Sequence, residues 1–433
     1  MLLIIIALGW NMLRSSAPSP PSDPIPPMQH DSADPMVQGG SGSKQDNGVQ
    51  SPSDPNISTG NDIQQPQEDS DRTLISPEQD KPSEQTLQAA EAVWLAVGDI
   101  MVHMPQLPGS YDKASGSYDF NDVFEPVSGI LRKGDWVLAN LEAPLAGDHY
   151  SGFPRFNAPY EIADALREAG ITIVTTANNH ALDQGYKGIE RTLAHLDKLG
   201  FYTKGTARSK AESRKAVLIE QNGITMGLLA YTYGTNGIPL PSGKPYAVSI
   251  WDEEACVKDI AALRRQGAEF VTVAMHFGTE YQTVPSESQR KIARAIIQAG
   301  GDIVAGSHPH VVQPYEVVSA YDTDGRKRQG VILYSMGNFI SNQRGDTKDN
   351  GVIFEITVRR EAGTGQISFE NIKPHFTWVH RYKDNGKMKY RVLPMEEMLK
   401  KRSDKQLSSA DYKQMEKAMS ILANRMNKLK AAS

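Results

Sequence analysis

The chain has 433 residues, 46 Lys and Arg against 51 Asp and Glu, a formal net charge of -5 and one cysteine. That balance excludes the broad basic surface of a nucleic-acid-binding protein. The lone Cys256 excludes an intramolecular disulfide and a cysteine-held zinc.

Residues 1–13 are apolar apart from Asn11, and Arg14 follows. The run is shorter than the roughly 20 residues that cross a bilayer, and it lacks the basic start of a secretion signal. It reads either as an export signal or membrane anchor without its basic start, or as an incidental apolar terminus. Residues 14–88 are poor in aromatics, dense in Pro, Ser, Asp, Gln and Gly, and carry twelve acidic against four basic side chains. Such a stretch buries too little apolar surface to offset chain entropy, so an acidic disordered linker is expected there. It also explains the low mean hydropathy of -0.45. A polar linker behind an apolar N-terminus suits a domain held outside the cytoplasm, membrane-anchored or secreted.

From Glu91 the pattern is that of a folded domain, expected over residues 89–380. Ala92 to Gly98 reads as a buried strand ending in Gly98-Asp99. A helical pattern within Ser117–Leu131 precedes a second strand, Asp135 to Glu142, with the polar Asn140 and Glu142 at its exit. A helix from Tyr160 to Ala169 stops at Gly170. The β-branched run Ile171–Thr176 ends in Ala177-Asn-Asn-His180, and a helix from Tyr186 to Leu199 follows. Lys215–Glu220 and Ile224–Tyr231 flank Asn222-Gly223, a hairpin signal. A helix from Asp252 to Arg265 leads to the strand Phe270–Met275. Pro285 opens a helix to Gln298, since proline's missing N–H costs nothing at a helix start. Asp302–Ala305, Val311–Val318, Val331–Met336, Val352–Val358 and Gln366–Ile372 read as further strands. Alternating strand and helix followed by a strand-rich third predicts a layered α/β fold with partly antiparallel late strands.

Residues 381–433 read as a separate basic extension, with fourteen Lys and Arg against six Asp and Glu. Tyr412, Met415, Met419, Leu422, Met426 and Leu429 recur at three- and four-residue steps, the stripe of an amphipathic helix. That stripe docks on the domain, or its basic face meets an anionic surface or partner.

Polar side chains collect where apolar strands end: Asp99 and His103, Asn140 and Glu142, Asn179 and His180, His276, then His308 and His310. Imidazoles and carboxylates together suit Zn, Mn or Fe, and a carboxylate can bridge two such ions. Two ions roughly 3.5–4 Å apart activate water and neutralise charge on a phosphoryl oxygen. A single His after a strand is ordinarily a satisfied structural residue. Five such elements in order favour a metal site. Within Ser307-His308-Pro309-His310, extended backbone would point both rings to one side.

Gly98-Asp99, Asn140-Leu-Glu142, Ala177-Asn-Asn-His180-Ala-Leu-Asp183-Gln-Gly185, His276-Phe-Gly278-Thr-Glu280-Tyr281, Gly306-Ser-His-Pro-His310 and Tyr334-Ser-Met-Gly-Asn338-Phe339 resemble the motif series of the bacterial CapA (PgsA) capsule-synthesis family. These are poly-γ-glutamate biosynthesis proteins with a domain similar to calcineurin-like metallophosphoesterases. The resemblance covers about residues 92–345 and leaves out the linker and the tail. It implies a four-layer β-sandwich flanked by helices and two divalent metal ions. Asp99 and His310 would serve the first metal and Glu142 would bridge. Asn179, His276 and His308 would serve the second. His180 would act on the leaving oxygen, with Asp183 and Glu280 orienting imidazoles. Asn140, Asn178 and Asn338 would lie beside the site.

Three positions depart from the phosphoesterase pattern. Asp-x-His becomes Asp99-Ile-Met-Val-His103, the bridging Asp becomes Glu142, and the Gly before Asn-His becomes Asn178. His103 as a ligand therefore requires a loop that turns it toward the metal. The resemblance implies membrane-embedded polyglutamate synthase subunits as partners, with a phosphoester or anionic polymer as the molecule acted on or bound. Two readings stand: a metal-dependent hydrolase, or a non-catalytic surface accessory that binds polymer or synthase.

Overall fold

The computed structural model describes residues 88–321, 325–426 and 428–429. The apolar N-terminus and the linker expected up to residue 88 lie outside the described residues apart from Gln88.

In chain order, β1 (Ala90–Ile100) runs into a 3-10 turn, α1 (Leu107–Ser110) and a small hairpin of β2 (Tyr111–Asp112) and β3 (Ser117–Tyr118). Then come α2 (Asn121–Leu131), β4 (Trp136–Leu141), α3 (Glu161–Ala169), β5 (Ile173–Thr175), α4 (Gly185–Lys198), β6 (Tyr202–Lys204) and α5 (Lys210–Arg214). The second half continues with β7 (Leu218–Gln221), β8 (Ile224–Thr232), α6 (Glu253–Arg265), β9 (Phe270–His276), α7 (Glu287–Gln298), β10 (Ile303–Ser307), β11 (Tyr315–Tyr321) and β12 (Lys327–Leu333). It ends with β13 (Asn338–Ile340), β14 (Asn350–Arg360), β15 (Ile367–Asp384), β16 (Lys387–Pro394), α8 (Met395–Lys401) and α9 (Ser409–Met426).

The strands form two principal sheets. The first runs β16-β15-β14-β1-β4-β5-β6, with β13 also beside β1, and the second runs β11-β12-β10-β9-β8-β7. In the first, β1, β4, β5 and β6 are mutually parallel and β14 to β16 are antiparallel. In the second, β8, β9, β10 and β12 are parallel, with antiparallel β7 and β11 at the edges. The parallel centres bring the carboxyl ends of β1, β4 and β5 to one rim, and those of β9 and β10 to another.

The sheets pack face to face. Trp94, Trp136 and Leu138 of the first share a buried cluster with Met226, Leu228, Phe270 and Val331 of the second. Trp136 meets Phe270 edge-on at 5.2 Å, and its indole N–H donates to the Ile219 carbonyl at 3.0 Å. Helices cover the outer faces: Phe124, Val127, Ile162 and Leu166 lie on the first sheet, and Ile260, Leu263, Ile296 and Ile297 on the second. Helix, sheet, sheet, helix is the four-layer architecture that the resemblance implies.

Two boundaries differ from the sequence reading. The strand expected over Val311–Val318 starts at Tyr315, because residues 311–314 belong to the loop that leaves His310. The strand expected to end at Ile372 continues to Asp384 as β15, so the expected domain boundary at 380 falls inside a strand. Residues 381–394 complete the first sheet at its edge, where Lys and Arg protect an open strand from further pairing. That role hides their strand pattern behind charge. In α9, Tyr412, Met415, Ala418, Leu422 and Met426 are buried in the inter-sheet core, so the helix docks on the domain. Its approach is further tied by Arg402 to Glu416 and by Arg391 to Asp404 at 2.8 Å.

Candidate metal centre

The strand order explains why the polar exits meet. Asp99 and Asn140 are paired residues at the ends of the parallel neighbours β1 and β4, and Glu142 follows one residue beyond β4. On the facing sheet His276 ends β9, paired in register with Ser307 at the end of β10, and His308 and His310 come next. All five titratable side chains, Asp99, Glu142, His276, His308 and His310, are buried.

Their donor atoms form two groups that share Glu142: Asp99, Glu142 and His276, and Glu142, His308 and His310, with the atoms of each group within 4.8 Å of one another. His310 Nδ1 lies 3.0 Å from Asp99 Oδ2 and its Nε2 3.7 Å from Glu142 Oε1, while His276 Nε2 lies 3.5 Å from Glu142 Oε1. Asn179 Oδ1 lies 2.8 Å from His276 Nε2. Ligands bound at about 2.0–2.2 Å and roughly tetrahedral or octahedral angles stand about 2.8–3.6 Å apart, so this spacing fits a divalent ion. Two buried atoms, Glu142 Oε1 and His308 Nδ1, have no hydrogen-bond partner, and buried polar groups are ordinarily paired. A cation would satisfy both.

The electrostatics agree. Burial, then the Asp99 charge, raises the Glu142 pKa well above the usual carboxylate range. Burial, then repulsion from His308 and His310, holds His276 well below its usual value. Burial and His310 push His308 down to about 3. His276 and His308 thus favour the neutral form, with lone pairs for a metal, and burial of Glu142 beside Asp99 favours a nearby positive charge. Asn140 softens the crowding, since its amide donates to Asp99 Oδ1 at 2.9 Å and to Glu142 Oε2 at 3.4 Å.

The pairs implied by the resemblance are in contact: His310 meets Asp99 at 3.0 Å, and the His276 and His308 rings stand 4.8 Å apart. Asp99 also groups with Glu142 and His276, and His308 and His310 with Glu142. The donors form one continuous cluster through Glu142, so each carboxylate is in reach of imidazoles from both strand ends. The backbone route differs from the expected extended one. His308 and His310 have φ of +98° and +58°, a left-handed region that non-glycine residues rarely occupy. Backbone strain, rather than extended alternation, turns both rings inward.

His103 stands outside these groups. It caps the turn after β1, its Nδ1 accepts the Asn342 N–H at 3.3 Å, and its ring meets Phe156 edge-on at 5.1 Å. Burial pushes its pKa down to about 4.

His180 is also buried, with Nδ1 2.7 Å from Asp183 Oδ2. The same Asp183 oxygen accepts the Phe156 N–H at 2.7 Å, and the Phe156 ring stands edge-on to His180 at 4.7 Å. His180 follows Asn179, whose side-chain oxygen contacts His276, which puts the turn that carries it beside the cluster. Asn178 shapes this turn: its amide donates to the Leu141 carbonyl at 2.8 Å, and its oxygen accepts the His180 N–H at 3.1 Å.

Glu280, expected to orient an imidazole, is exposed, and burial, then its charge, raises the Tyr281 pKa. Asn338, paired in register with Asp99, donates to Gln343 Oε1 and the Lys348 carbonyl, and its own oxygen is buried without a partner.

Three contributors escaped the sequence reading. Ser307 Oγ lies 2.8 Å from His276 Nδ1 and supports that ring. The exposed Tyr233 stacks beside His276 and packs on His308 at 4.7 Å. Ser307 and Tyr233 both stand at strand exits, so the signal was present; Phe156 lies in a loop with none.

Residues 93–343 match the family described as bacterial capsule synthesis protein PGA_cap. The chain is 29% identical over 286 residues to the PGA biosynthesis protein CapA of Bacillus subtilis (strain 168), covering 64% of this chain and 70% of that protein. It is 30% identical over 270 residues to the capsule biosynthesis protein CapA of Bacillus anthracis, covering 59% of this chain and 62% of that protein. Among solved structures, the calcineurin-like phosphoesterase YfkN from Bacillus subtilis is 15% identical with a TM-score of 0.41, covering 67% of this chain and 91% of that one.

Proposed function

The chain belongs to the bacterial capsule synthesis protein family PGA_cap, and from that premise we propose that its buried cluster is the two-metal centre of an extracytoplasmic phosphoesterase-type hydrolase. The reading rests on one observation above all: two carboxylates and three imidazoles, buried and drawn from both sheets, approach within ligand distance through a shared Glu142.

Asp99, Glu142, Asn179, His276, His308 and His310 would hold the ions. Bound there, divalent cations supply positive charge opposite a phosphoryl or acyl oxygen and make nearby water a better nucleophile at neutral pH. His180 supplies the proton. With Nδ1 engaged by Asp183, its Nε2 is the ring nitrogen left to protonate a leaving oxygen. Asp183 and Phe156 fix the ring, Asn178 fixes the turn beneath it, and Asn140 keeps Asp99 and Glu142 together.

The biological role that follows from family membership is the making, export or anchoring of an anionic capsule polymer of the poly-γ-glutamate kind, beside membrane-embedded synthase subunits. No helix among the described residues is long and apolar enough to cross a membrane.

Metal analysis of the purified full-length chain, paired with hydrolysis of bis(p-nitrophenyl) phosphate, tests this reading. About two transition metals per chain are expected, with turnover lowered about 10²- to 10⁴-fold by His180→Ala. A metal-free, inactive protein that still binds polyglutamate would establish the non-catalytic accessory reading in its place.

A further inference from the structure

The end of α9 carries a buried charge that the proposed chemistry does not use. Arg425 is 8% exposed. Its Nη1 donates to the Val312 carbonyl at 2.9 Å and to Thr347 Oγ1 at 3.1 Å. Burial alone lowers its pKa, and neither partner is a carboxylate. Burying a guanidinium without a counter-charge is costly, and a neutral side chain of similar volume would fill the space at lower cost. The two oxygens that Arg425 holds therefore matter.

Val312 follows His310 by two residues, in the loop whose histidines are held at positive φ. It also lies against the other ligand-bearing segment. A Cβ on Gly337 would come within 3.0 Å of Val312 Cγ2 and of Val312 N, and the Gly337 carbonyl accepts the Asp99 N–H at 2.9 Å. Val312 is thus wedged between the His308–His310 loop and the backbone that presents Asp99.

Thr347 sits at φ +66° in a second loop, which follows the Asn338 strand. There the Lys348 carbonyl accepts from Asn338, and the Lys348 ammonium stands 4.9 Å over the Tyr281 ring. One guanidinium joins both loops to α9, which is anchored in the inter-sheet core by Met415, Leu422 and Met426.

We propose that Arg425 is a positioning residue for the metal centre: the C-terminal helix, outside the segment matched by the family, holds the strained His308–His310 loop in its ligand-ready shape. The inference rests on reading the cluster as a metal centre. Without the brace, the loop relaxes toward ordinary backbone angles and the imidazoles leave the positions that Glu142 and Asp99 require.

The test compares Zn²⁺ affinity, measured by competition with a chromogenic chelator, with the melting temperature of the metal-free full-length chain. Arg425→Met should bind Zn²⁺ about tenfold more weakly, the lower end of the range for residues that support metal ligands. Its metal-free melting temperature should hold or rise, since an uncompensated buried charge is gone. Arg425→Lys should recover part of the affinity. Thr347→Val, which removes one contact and leaves the charge, should weaken binding by a smaller factor and serves if Arg425→Met does not fold. Unchanged affinity in Arg425→Met, or in Thr347→Val where only that variant folds, overturns the proposal. So does a parallel fall in affinity and stability that Arg425→Lys reverses in stability alone. A wild-type chain that takes up no Zn²⁺ overturns the metal-centre reading itself, whereas metal bound equally by wild type and Arg425→Met overturns only the brace.

Discussion

Asp99, Asn140, Glu142 and Asn179 all leave the sheet that contains β1, β4 and β5, whereas His276, His308 and His310 all leave the sheet that contains β9 and β10. The first rim concentrates carboxylates, and burial with mutual repulsion drives Glu142 toward its protonated form. The second concentrates imidazoles, and burial with repulsion from neighbouring imidazoles holds His276 and His308 below their usual values. Each rim alone is a crowd of like groups. Facing each other, they become complementary halves of the proposed cation site, which the packing of Trp136 on Phe270 helps bring together. Four experiments bear on this division, from the largest expected effect to the smallest.

Glu142→Gln removes the carboxylate common to both ligand groups. Metal content should fall to near zero and phosphodiester turnover by about 10⁴-fold or more, several kcal/mol of transition-state stabilisation. The metal-free protein should melt no lower, because the amide replaces a carboxyl whose charged form burial and Asp99 already disfavour. Metal retained at the wild-type level would show that the two rims do not meet through this residue.

His180→Ala should lower kcat by about 10²- to 10⁴-fold, the usual worth of a positioned proton donor. Metal content should stay at the wild-type level. Loss of metal in this variant would move His180 from the proton-donating role to the ligand set.

Trp136→Phe acts between the sheets rather than at the rims. It leaves the Ile219 carbonyl buried without its donor, which should cost about 1–3 kcal/mol, read from the urea midpoint. Metal affinity should fall with it, because the core sets the spacing of the rims. A stability loss with unchanged affinity would assign that spacing to the local Asn140 bridge instead.

His380 provides the smallest effect and a contrast remote from the centre. Burial and then Arg391 hold its pKa at about 4, below the ordinary value of 6.5. The unfolded chain therefore takes up this proton first as pH falls. The stabilising contribution is complete above pH 6.5 and is lost progressively down to about 4. Urea midpoints should be lower at pH 5 than at pH 7, and His380→Gln should flatten part of that slope. An unaltered slope in the variant would assign the acid sensitivity to the cluster at the rims.

Local pattern carried much of the fold. β-Branched runs ended by polar residues gave away β1, β4, β5, β9 and β10, because a parallel strand buried on both faces must be continuously apolar. Helix starts were readable from caps: Asp252 and Ser286 each accept a backbone N–H of the first turn. The long β15 and the edge strand β16 were hidden, since Lys and Arg on an exposed edge look like a solvated tail. The stripe in α9 was visible, but the surface beneath it was not.

The same line divides the site. Glu142, His180, His276, His308 and His310 announce themselves as metal- and proton-handling residues at strand exits, because side-chain chemistry and strand ends are both local properties. Their meeting is not local. Asp99 and His310 are 211 positions apart in the chain yet in hydrogen-bond contact, a distance set only when two sheets close on a shared core. The structure also separated His103, turned toward Asn342 and Phe156, from the donors it resembles. It bent His308 and His310 through left-handed backbone that no residue pattern requires, and it joined Arg425 to their loop. Sequence alone determined which side chains at strand exits have the chemistry to bind a metal or carry a proton, because both are local properties; packing of the two sheets decided which of them face one another.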